Sequence, residues 1–198
     1  MHFDRCMRTA PILVVLSLAS RALAEPGDQQ AAAYGLDPEL IPVQCRSAVT
    51  GTRMGARISL ASCIADLELE KLSLDASSAS VAAVRTATSY SLLLLESVVA
   101  VGSPVERAEA LSAEADLYTG MVSRMRRTAP NLMWHTTGKQ LAQAQEEHRQ
   151  LETAIAPWVR AAAAADDMVR KISRAHPEIA RDLVAHHALK RAGTVARR

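Results

Sequence analysis

Beyond position 42 the apolar residues recur at spacings of three and four, and no stretch alternates with period two. That pattern predicts helices throughout and no sheet. The clearest stripe is Leu141, Ala144, His148, Leu151, Ile155, Trp158, Ala162, Ala165, Val169 and Ile172. Five heptads without a slip predict one long helix packed in coiled-coil fashion. Thr137-Gly138-Lys139-Gln140 opens it as a candidate capping box. Pro157 lies inside the pattern and predicts a kink or a split there. The preceding helix starts at Ser103-Pro104-Val105-Glu106, a capping box with proline in the first helical position. Its acids cluster toward the start, and Arg124, Arg126 and Arg127 close it ahead of Pro130, an order that suits the helix dipole. Another helix is expected from an N-cap near Asp75 to Val101, with Gly102 as its stop. Its segment LLLLESVVAV (92–101) is apolar nearly all round, which predicts the most buried helix. A first helix lies within 43–72, and a last, shorter one is expected at about 177–191.

The connections at 102–103 and 129–136 are short, so consecutive helices should run in opposite directions. The expected fold is all-α: an antiparallel up-and-down helical bundle of four long helices plus a shorter C-terminal helix. The bundle spans 43–193, preceded by an irregular leader at 25–42 and followed by a frayed basic tail at 194–198. Many alanines and few aromatics in the stripes imply close helix approach.

Residues 1–24 have the layout of a secretory signal peptide: Arg5 and Arg8, the apolar run 11–19, and Ala22-Leu23-Ala24 before Glu25. The apolar run is about half the ~20 residues a membrane span needs. Thr86, Thr88, Ser89, Ser91, Arg85 and Glu96 argue against a second span in the apolar helix. The expected location is therefore outside the cytoplasm, periplasmic or secreted, with no integral membrane segment once the signal is cleaved. Export also changes the charge. The chain has 23 basic and 21 acidic side chains. The signal removes Arg5, Arg8, Arg21 and Asp4, leaving twenty of each. A neutral chain has no global field for nucleic acid, and none is expected as a partner.

Export removes Cys6 as well and leaves Cys45 and Cys63 in the stretch QCRSAVTGTRMGARISLASC. As one straight helix, this stretch puts both cysteines on the same face but ~27 Å apart. A disulfide tolerates roughly 7 Å between Cα atoms. The thiols would then stay reduced, or each Cys45 would meet Cys63 of an antiparallel second subunit in a homodimer. A break at Gly51–Gly55 instead lets the upstream segment fold back and Cys45 reach Cys63. An even count in an oxidising compartment favours the intrachain bond, with the first helix starting near Thr52.

Motifs for haem attachment, zinc, phosphate binding and nucleophilic catalysis are missing from the sequence, so no catalytic residue and no cofactor are assigned. The Glu-x-x-His of di-iron bundles is narrowly missed, because Gln145 precedes His148. His148, on the long stripe, is a weak candidate to bind haem or a metal inside the bundle. Its plainer reading is a half-buried histidine bonded to a polar neighbour. Asp182 and His186, one turn apart, form a second weak metal candidate. The turn holding Leu132, Met133 and Trp134 is apolar for a connection. With Arg124, Arg126 and Arg127 it forms a candidate partner patch, unless the apolar side chains fold back to seal the bundle end. The functional expectation is a non-enzymatic exported bundle acting through protein contacts as a scaffold, inhibitor or chaperone, its partner unknown. The alternative is a metal- or haem-binding bundle built around His148.

Overall fold

The computed structural model describes residues 26–134 and 137–179. The signal segment, Asp182 and His186 lie outside these residues. The N-terminal part is more ordered than an irregular leader. Helix α1 covers Pro26–Ala33, and a 3-10 turn follows at Pro38–Leu40. The Asp37 carboxylate caps that turn by accepting from the Glu39 amide at 3.0 Å. A second 3-10 segment, Val43–Ala48, carries Cys45. The chain then reverses at Gly51, whose φ of +80° suits a residue without a Cβ. Thr52 starts helix α2, Arg53–Glu70, by accepting from the Gly55 amide at 3.1 Å. This is the broken geometry rather than the single helix. The upstream segment folds back, and the Cys45 and Cys63 sulfurs lie at bonding distance with Cα atoms 5.7 Å apart.

Three further ties hold this segment down. The Tyr34 hydroxyl donates to the Gly51 carbonyl at 2.5 Å. The Arg53 guanidinium donates to the Tyr34 carbonyl at 3.0 Å. Arg57 donates to the same Tyr34 carbonyl at 3.4 Å and also to the Ser97 hydroxyl at 2.8 Å. Ala31, Leu36, Ile41, Cys45 and Val49 are buried in one core with Ala56, Leu60, Leu95 and Val98. The leader is thus part of the hydrophobic core, which its Pro-, Gly- and Asp-rich composition concealed.

Helix α3, Ser78–Val101, starts two residues later than expected because Ser77, not Asp75, is its N-cap. Asp75 acts one step upstream. Its carboxylate accepts from the Ser77 amide, the Ser77 hydroxyl and the Ser80 hydroxyl, which ties the incoming loop to the first turn. At the other end Gly102 closes on Val98, whose carbonyl oxygen would sit 2.7 Å from an added Cβ. Helix α4, Pro104–Arg126, has the full reciprocal capping box between Ser103 and Glu106. Helix α5, Gly138–Ala175, runs unbroken through Pro157, so there is no split. Thr137 caps it by accepting from the Gln140 amide at 3.3 Å.

These four long helices pack as an up-and-down bundle, each against its predecessor. Helix α4 is the hub and touches α2, α3 and α5, whereas α2 and α5 do not meet. Helix α3 is long and apolar enough to cross a membrane by length and composition. In this fold Val84, Leu94, Leu95 and Val98 are buried against its neighbours, the position of a core helix. Burial is one-sided, however: Leu93 is 61% and Val101 69% exposed. The expectation that this is the most buried helix is corrected: α3 buries eight of its 24 residues and α4 eight of its 23.

Candidate interaction surface

The register of α4 against α5 determines what the α4–α5 turn looks like. Arg126, the last residue of α4, meets Glu152 in a two-point pair with both contacts at 2.8 Å. Toward the other end Leu111 and Ala115 pack on Ala165. Residues 138–151 of α5 therefore run past the end of α4, a projection of roughly 20 Å at 1.5 Å per residue. Before it, the 3-10 turn at Leu132–Trp134 touches α5. Asn131 shapes that turn by accepting from the Met133 amide at 3.0 Å.

On this prong Met133 is 90% exposed and Leu132 is 37% exposed. They do not seal the bundle. Leu72, Leu74, Ala76 and Ala129 do so, packed around Leu69, Met125 and Leu151. The chain also has no acidic residue between Asp116 and Glu146, a bias that covers the whole prong tip. The three arginines do not share one face. Two residues of helix turn separate Arg124 from Arg126 by about 200°. Arg126 faces α5 and is occupied by Glu152, whereas Arg124 lines a cleft on the α2 side. Arg127 is exposed at the base of the prong, beside the described part of the patch formed by Leu132 and Met133.

His148 sits on the prong's inner stripe, half-buried, between buried Ala144 and Leu151. Its Nδ1 is shielded from solvent and has no hydrogen-bond partner. Glu152 lies one turn on. Its carboxyl is held below the usual range chiefly by the Arg126 hydrogen bonds, with His148 as the smallest contributor. Among the described residues no three His, Cys, Asp or Glu side chains are grouped to hold one metal ion.

Two polar constellations escaped the sequence reading. Asp75, through the Ser77 and Ser80 hydroxyls, is pulled down to about 2. It borders a cavity of about 380 Å3 shared with Glu147 and Gln150 of α5. The second spans α3 and α4: burial, then the Glu96 charge, pushes the Glu114 carboxyl above its ordinary value. Burial, then Glu114, does the same to the Tyr118 phenol. The spacing of Glu114 and Tyr118, four apart, marks a shared helix face, but nothing local identifies Glu96 as its neighbour. The chain matches no protein-family model, no curated protein and no solved structure.

Proposed function

We propose that this is an exported, non-enzymatic bundle that engages a protein partner through the α4–α5 prong. The observation that carries the reading is Met133, 90% exposed at the end of a projecting element. A long apolar side chain held in water is a common anchor for a partner pocket, and methionine adapts to irregular surfaces. Leu132 and Arg127 flank it with apolar and cationic contact area. Export rests on the signal-like residues 1–24. The cysteine pair at bonding distance adds a weak hint of an oxidising compartment.

The test is a photo-crosslinking amino acid at Met133, with Leu93 on α3 as an exposed control. The reading predicts a discrete adduct from position 133 in the native compartment and none from 93. Equal background at both positions would count against it. A second reading keeps His148 as a ligand for haem or a metal, motivated by its shielded, unpartnered Nδ1. It predicts a visible band or bound metal that His148→Ala removes. A colourless, metal-free protein unchanged by added haem, copper or zinc rejects it.

A further inference from the structure

A cavity of about 280 Å3 opens between α2 and α4. Its apolar lining includes Ala61, Ala65 and Leu69 of α2 and Ala113, Leu117 and Gly120 of α4. Small side chains make the space. Alanines and a glycine stand where larger residues would fill the gap between two helices, and a Cβ added at Gly120 meets nothing within 4 Å. Ala61, Ala65, Leu69 and Ala113 are buried, so the inner wall is dry. The α4 side of the lining runs from Ala113 to Arg124, roughly 16 Å at 1.5 Å per residue. The space is a narrow slot rather than a round pocket.

Four polar side chains border this slot: Ser62, Asp66, Asp116 and Arg124. Three of them are already engaged. The Ser62 hydroxyl donates to the Ile58 carbonyl at 3.2 Å. Asp66 and Asp116 each have an interaction of their own, and both stand exposed at the rim, where water and salt screen their charge. Arg124 differs. It is half-buried and has no hydrogen-bond or ion-pair partner among the described residues. It brings unused guanidinium donors to the far end of an apolar slot.

These features select a ligand. The volume lies at the small end of ligand pockets, which sets a short chain. A narrow apolar slot takes an unbranched hydrocarbon more readily than a ring. The unpaired guanidinium calls for an acceptor, and its planar fork matches the two oxygens of a carboxylate. An amine would need an acid without a partner, and neither aspartate is one. We propose that the α2–α4 cavity binds one short straight-chain alkanoate. Its tail lies over Ala61, Ala65, Ala113 and Gly120, and its carboxylate accepts from Arg124. This site is separate from the Met133 contact and does not depend on it.

The test is calorimetric titration of the protein with hexanoate, heptanoate and octanoate, and with 1-octanol and octylamine for comparison. The alkanoates should saturate one site, with affinity rising about fourfold per added methylene as the tail is buried. Arg124→Gln should weaken octanoate about tenfold and leave 1-octanol unchanged. Gly120→Leu puts a better helix former into the open space and should abolish binding by filling the slot. An octanoate affinity unchanged by Arg124→Gln would overturn the proposal, as would octylamine binding more tightly than octanoate. Both comparisons hold whether or not Gly120→Leu disturbs α4. Binding that survives a folded Gly120→Leu protein, or no saturable binding at all, would overturn it as well.

Discussion

Glu114 shows how a single side chain can oppose its own fold. Burial and the Glu96 charge raise its folded-state pKa, so the folded chain favours the neutral acid. Above the raised folded value the group is charged in both states, and keeping it charged in the fold costs stability. As pH falls through the raised folded value the acid protonates and that cost disappears. Glu114→Gln should therefore raise the thermal midpoint at pH 7 and make little difference at pH 4, as read by circular dichroism at the two pH values. Asp75 has the opposite sign. Its folded pKa lies at about 2, below the ordinary 3.8. Its stabilising effect is present above the unfolded value and is lost as pH falls toward the folded one. Asp75→Ala should lower the midpoint at neutral pH and leave it nearly unchanged at pH 2. A constant deficit across that range would mean that the hydroxyl contacts, not the charge, carry the effect.

The elements were legible where local chemistry decides them. Ser103 with Glu106, Thr52 beside the glycines, and Thr137 each announced a helix start, and each caps one. Asp75 misled for a local reason: Asp and Ser are both good N-caps, and the choice of Ser77 depends on the Asp75 carboxylate gathering the Ser77 and Ser80 hydroxyls. Pro157 left α5 whole, since a long stripe packed on α4 can hold a helix across one missing donor. Helix α1 and the burial of Ala31, Leu36 and Ile41 were not legible, because the partners that bury them lie on α2 and α3. The turn that lets the leader fold back can be tested at Gly51. Gly51→Ala forces a Cβ into φ +80° and should cost about 1 kcal/mol. Urea unfolding should show a lower midpoint with an unchanged slope.

At the scale of the molecule, two hydrophobic clusters meet along α3 and α4. One is built on α2 and the leader, the other on α5. Trp158, 5% exposed, is the largest side chain of the second. Trp158→Ala should cost about 3–5 kcal/mol, measured by the same urea titration. The candidate surface was half legible. The apolar turn and its arginines could be read from the sequence, but the division of Arg124 from Arg126 required the helix register against α5, and the projection required the lengths of both helices. The proposed export, the folded-back leader and the location of the core all meet at Cys45 and Cys63. Closing that loop should add roughly 3 kcal/mol to stability. The most direct test is the mass of the mature protein after maleimide treatment under denaturing, non-reducing conditions. An intrachain bond predicts a monomer without added label and two hydrogens lighter than the reduced chain. Two added labels, or a covalent dimer, would contradict it.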